Sequence, residues 1–129
     1  MGTRKSIEVE GYTHGPNPIP AASRIGNIVV TGGIHAMDPA TGKIPPDLPA
    51  QCANVFANLR RILAAAGAAP ENVIKMTFWI RDASAREAIN KEWVALFPDP
   101  HSRPARHTLV YDKLSPNYQL QCDAMAVIQ

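Results

Sequence analysis

Few residues of this chain have a type and spacing that suit chemistry. Arg106 closes the string Pro104-Ala105-Arg106 and opens a run that alternates like a strand. A guanidinium at a strand start offers a carboxylate a rigid fork of donors that a lysine does not copy. Alternation puts Thr108 on the side of Arg106 and His107 on the other. Taken alone, Arg106 is better read as half of a surface salt bridge. The pair Gly32-Gly33 ends the β-branched run Ile28–Thr31 and lets another group approach the backbone closely, although a bulge or a simple turn produces the same pair. The four histidines, His14, His35, His101 and His107, are not spaced by three or four, and Cys52 and Cys122 form no Cys-x-x-Cys or Cys-x-x-His. No metal site is expected, and the thiols are expected to be buried and reduced.

The elements that must position these residues are legible from periodicity. With 129 residues, 46% apolar and 19% charged, the chain suits one globular domain spanning 1–129 rather than a disordered or two-domain chain. Lys5 to Glu10 alternates as a short strand, and the prolines from Tyr12 to Ser23 enforce an irregular loop. Arg24 to Ile34 reads as a hairpin at Gly26-Asn27 feeding a buried strand. Leu48 to Ala66 carries one apolar stripe of a helix, with Asp47 as cap, Pro49 in the first turn and Gly67 as a left-handed stop. Val73 to Ile80 is a candidate central strand covered on both sides. Asp82 or Ser84 caps a second helix from Ala85 to Phe97, halted by Pro98. A proline-punctuated loop then leads to strands at Arg106 to Tyr111 and Tyr118 to Ile128. The expected order is β-β-α-β-α-β-β, an α+β sandwich with both helices on one sheet face. The other face, carrying Met125 and Val127, would stay partly apolar, and self-association is the natural cover.

The balance of 13 basic and 11 acidic residues, with no basic run or basic-aromatic patch, argues against an electrostatic nucleic-acid or membrane binder. No segment suits a signal core or a membrane span, so a cytoplasmic protein is expected. Met1-Gly2 with Ser6 formally opens like an acylation signal, but no second anchor follows, and the bland reading is preferred.

Taken in order, several strings resemble the Rid family, the reactive intermediate deaminases or YjgF-like proteins. They are Arg24-Ile25-Gly26-Asn27, Ile28-Val29-Val30-Thr31-Gly32-Gly33-Ile34, Asp38-Pro39-Ala40-Thr41-Gly42, Leu63-Ala64-Ala65-Ala66-Gly67, Val73-Ile74-Lys75-Met76-Thr77, Ile89-Asn90 and Pro104-Ala105-Arg106. The resemblance implies a chorismate-mutase-like fold packed as a homotrimer around a central barrel, with three pockets at subunit interfaces. It also implies that Arg106 grips the carboxylate of a 2-imino or 2-enamino acid, which is hydrolysed to a 2-oxo acid and ammonia without a cofactor. Backbone groups at Gly32, Gly33 and Ile34 would orient substrate or water, with Ile19, Thr108 and Gln121 lining the pocket.

This chain departs from the family pattern at three places. Ile19 stands where active members carry a pocket tyrosine, Gly32 replaces the serine before the second glycine, and Gln121 replaces a glutamate thought to hold the attacking water. A glutamine amide accepts a hydrogen bond from water but takes up no proton at neutral pH. Asp123, two residues on and on the same face, could supply a carboxylate, against the commoner structural role. Imines hydrolyse readily, so positioning and a polarising N–H could still accelerate the reaction. The changes imply a more apolar pocket and a larger or cyclic substrate. His35 is expected near the pocket mouth, as a titrating group or as an idle loop histidine. Trp79 and Trp93 are expected as core or interface anchors, and Asn90 as a brace for the neighbouring strand. Two other functions stay open: a noncatalytic binder of small carboxylates that regulates a partner, and a ribonuclease or translation inhibitor.

Overall fold

The β-branched and aromatic runs of the chain pair into a six-stranded sheet, and its two amphipathic helices cover one face of it. The computed structural model describes residues 3–129, so the Met1-Gly2 start lies outside the described residues. The strands are β1 (Lys5–Ile7), β2 (Ala22–Ile25), β3 (Ile28–Thr31), β4 (Val73–Ile80), β5 (Ala105–Val110) and β6 (Leu120–Val127), in the spatial order β1-β2-β3-β6-β4-β5. The helices are α1 (Leu48–Ala65) and α2 (Ala85–Leu96). All neighbours are antiparallel except β4 and β5, a parallel pair joined by the α2 crossover.

The observed order is β-β-β-α-β-α-β-β. The expected hairpin resolves into two full strands, because Gly26 takes a left-handed turn (φ 57°) and Ala22–Ile25 pairs with both β1 and β3. β2 therefore begins inside the stretch expected to be loop. β1 ends at Ile7 rather than Glu10, where a turn at Gly11 (φ 80°) pulls the chain out of the sheet and Tyr12 N bonds Val9 O.

Alternation decides what is buried. On β6, Leu120, Cys122, Ala124 and Ala126 point into the core, and Met76, Phe78 and Ile80 join them from β4. β4 is not covered on both sides as expected. Its other face, with Lys75, Thr77 and Trp79, is half-buried, because both helices pack on one side only. Phe78 stacks on Phe56 of α1 and meets the Trp93 ring of α2 edge-on. Burying one such side chain contributes about 1.5–3 kcal/mol. Cys52 and Cys122 are free and buried.

The helix signals hold for α1. The Asp47 carboxylate accepts from Ala50 N at 3.1 Å, Pro49 sits in the first turn, and Gly67 (φ 79°) turns the chain off its end. For α2, neither expected side chain makes a cap bond to the helix. Ser84 is already helical, and Asp82 accepts from Ser84 N instead (2.8 Å). Two buried amides of α1 then fix the loops. Gln51 donates to Pro45 O and Asn117 O and accepts from Gln119 N. Asn58 donates to His35 O and Met37 O, each at 2.9 Å, which holds the segment after β3 against the helix.

Candidate functional site

Arg106 lies on β5, which is an edge strand with α2 running antiparallel above it. The register matches Met76 with Arg106 and Phe78 with Thr108, so both β5 side chains share the helix-covered face, and His107 falls on the other, where Lys75 Nζ donates to its Nδ1 (2.7 Å). The Arg106 guanidinium rests on the Trp93 ring, 4.9 Å from its centroid, and is 5.7 Å from that of Phe78. One amino group donates to Asn90 Oδ1 at 2.7 Å. Asn90 is thus the expected brace, and it holds the arginine itself. Burial and, second, the neighbouring Arg86 push the Arg106 pKa down from its ordinary value, yet an arginine stays charged at any working pH.

The other candidates gather elsewhere. Gly33 faces Gln121: a Cβ added to Gly33 would stand 3.3 Å from Gln121 Nε2, tight enough that the amide would have to shift. Gly32 N donates to Ala21 O, and Thr31 Oγ1 donates to Gly32 O. Ile34 departs from its expected role. Its side chain is fully buried and its N–H and C=O pair with Cys122, so the N–H is spent within the sheet. Gly33 N is the one N–H of the three without a hydrogen-bond acceptor among the described residues. Ile19 is 53% exposed, in the loop ahead of β2.

His35 is neither idle nor at a mouth. It is buried, its Nε2 donates to Thr13 O (2.8 Å) and its Nδ1 accepts from Met37 N (3.3 Å), so the ring is held neutral. Burial, above all, lowers its pKa. Tyr12 stacks on it at 4.5 Å, and its hydroxyl donates to Gly33 O (3.1 Å). Burial pushes the Tyr12 pKa well up, so the hydroxyl remains a donor. His14 Nε2 also donates to Gly33 O, at 2.7 Å. Tyr12 and His14 brace the glycine strip, a role the sequence did not signal because both sit in an aperiodic loop. Asp123 accepts from Trp79 Nε1 at 3.4 Å on the open face, the structural role.

The site residues therefore form two groups. Gly32, Gly33 and Gln121 lie together, with Gln121 on the open face. Arg106 and Thr108 lie on the covered face of the β5 edge, with β4 between β5 and β6. Within one chain, Arg106 and Gln121 face opposite sides of the sheet. Among the described residues no group of three His, Cys, Asp or Glu could hold a metal, and no helix is long and apolar enough to cross a membrane.

Known proteins share this fold. A family model described as Endoribonuclease L-PSP matches residues 16–128. The 2-iminobutanoate/2-iminopropanoate deaminase of Escherichia coli (strain K12) is 27% identical over 124 residues, covering 95% of this chain and 97% of the relative. The crystal structure of the YjgF gene product from E. coli superposes with a TM-score of 0.87 at 26% identity, over 97% of this chain and 99% of that one. E. coli TdcF with bound serine gives 0.88 at 28%, over 97% and 99%. With the family model spanning nearly the whole chain, this protein belongs to the Endoribonuclease L-PSP family, that is, to the Rid or YjgF-like proteins.

Proposed function

We propose that this protein hydrolyses carboxylate-bearing 2-imino and 2-enamino acids to 2-oxo acids and ammonia, in pockets that neighbouring copies of a homotrimer complete. The observation that carries this reading is the Arg106 guanidinium. It is immobilised between Trp93 and Asn90, its hydrogen bond goes to an amide oxygen, and its remaining donors are left to a ligand. Such a fork suits a carboxylate, and holding it rigid removes ordering cost from the bound state. A curated relative named as an iminoacid deaminase, and a TdcF structure with serine, which carries a carboxylate beside a nitrogen, support the same chemistry.

The division of the site between the β5 edge and the open face of β6 supports a shared pocket. In a closed ring, copies would join head to tail, so the β5 edge of one would meet the open face of the next, and Arg106 would face that copy's Gly33–Gln121 strip. There the Gly33 N–H and the Gln121 amide would orient the attacking water. Water adds to the imine carbon, one of its protons passing through solvent to the nitrogen; the second follows as the C–O bond becomes a carbonyl and the C–N bond breaks, so ammonia leaves the 2-oxo acid. Gln121 holds water without taking a proton, so the acceleration comes from positioning. The reaction calls for water and an anchor, with no cofactor. Ile19 would give the pocket an apolar wall suited to a larger side chain, and the protein would work in the cytoplasm.

The test generates imines in situ with amino-acid oxidases and traps what remains with semicarbazide, comparing the parent with Arg106→Ala. Loss of trapped imine that depends on Arg106 is expected. Equal acceleration by Arg106→Ala overturns the assignment. Binding of 2-oxo acids without turnover of any imine replaces it with a noncatalytic carboxylate binder.

A further inference from the structure

We propose that Arg86 is a second anion anchor of the Arg106 site, and that the substrate this site selects is a dicarboxylate: a 2-imino acid bearing a second carboxylate at the end of its side chain. The proposal rests on the imine-hydrolase reading above and adds its substrate class.

The geometry begins with α2 lying antiparallel over β5. Arg86 donates to Thr108 O at 3.1 Å, Asn90 receives Arg106, and Arg103, just ahead of β5, donates through Nε to Phe97 O at the far end of the helix. Arg86, Asn90 and Trp93 follow one another at steps of four and three, so they form one stripe of α2 facing the β5 edge. Four helical residues rise about 6 Å. Two strand residues, Arg106 to Thr108, advance almost the same, about 6.6 Å. The two guanidiniums are therefore anchored one helical turn apart along the same edge, with the Thr108 side chain on the face of Arg106.

Their bonding leaves both charges available. Each spends a hydrogen bond on a neutral oxygen, Asn90 Oδ1 or Thr108 O, and neither hydrogen-bonds a carboxylate among the described residues. Two cations this close repel, which after burial is the second cause of the lowered Arg106 pKa, and a single carboxylate at Arg106 would leave Arg86 uncompensated. A molecule with two carboxylates neutralises both. Four C–C bonds of about 1.5 Å in a zigzag set the carboxyl carbons of a five-carbon diacid about 5 Å apart, which matches the spacing of the anchors.

The experiment has two arms on the full-length protein. In the first, kcat/KM is measured for imines generated in situ from glutamate and from norvaline, which has the same chain length without the second carboxylate. In the second, calorimetry compares binding of 2-oxoglutarate and 2-oxopentanoate. The parent is expected to prefer the dicarboxylate about tenfold or more in both arms, and Arg86→Gln to erase that ratio while Arg86→Lys keeps part of it. Arg86 is exposed, so the variants are expected to fold, which far-UV circular dichroism checks. A parent without preference, or a preference unchanged in Arg86→Gln, overturns the second anchor even if Arg106-dependent hydrolysis stands. Arg86-dependent binding of 2-oxoglutarate with no hydrolysis of either imine supports the anchor and removes the hydrolase reading instead.

Discussion

Arg106 can serve as an anchor because its neighbours do not neutralise it: an indole face and an amide oxygen hold it in place and leave its charge for a ligand. The sequence singled it out by the distinctive string Pro-Ala-Arg ahead of a strand, and its face followed from alternation alone. The fate of His35 was not legible, since burial of a loop side chain depends on what Tyr12 and Asn58 do from remote parts of the chain. Two outcomes are expected at this scale. His35 has a folded-state pKa below the ordinary value of 6.5, with the Tyr12, His14 and Tyr118 rings around it. It therefore contributes stability above that value, which is lost as pH falls from 6.5 towards the folded-state pKa, where the unfolded chain binds the extra proton. The melting temperature should drop between pH 7 and 5, and His35→Gln should flatten that slope. The thiols should be inert. Burial, above all, pushes Cys52 up to about 11 and Cys122 well above its usual range, so iodoacetamide at pH 8 should label them only after denaturation.

At the scale of elements, local chemistry sets the ends and long-range pairing sets the rest. The cap at Asp47 and the stop at Gly67 were readable because both depend on residues within one turn of the helix. The independence of β2 was not, because it draws its bonds from β1 and β3 rather than from its own pattern. Gly67→Ala should cost about 1–2 kcal/mol for the left-handed backbone alone. A Cβ there would also lie 2.8 Å from Arg24 Nη1, so the arginine would have to shift away from its bond to Ala66 O at the helix end. Thr31→Val should cost about 1–3 kcal/mol, since it strips the buried Ala124 N–H of its acceptor, 2.9 Å away, and loosens the β3–β6 contact. Urea unfolding measures both.

The whole molecule leaves one sheet face without helices, and Ile25, Ile28 and Val30 are each about half exposed on β2 and β3. Strand alternation announced such a face, while which copy covers it lies beyond what one chain's pattern encodes. Light scattering at micromolar concentration should give the mass of a trimer, and Ile28→Lys should shift it toward monomer by placing a charge in the contact. The central claim is that Arg106 of one copy acts with the Gly33–Gln121 strip of the next. Co-expression tests it most directly, pairing Arg106→Ala, which lacks the anchor, with Gly33→Leu, which drives a side chain against the Gln121 amide. Each variant alone should fold, assemble and leave trapped imine untouched. With random mixing, each mixed trimer should have one intact interface in three, and the whole co-expressed population, homotrimers included, should recover about a quarter of the parent rate. Mixed trimers that form and stay inactive would contradict the shared site.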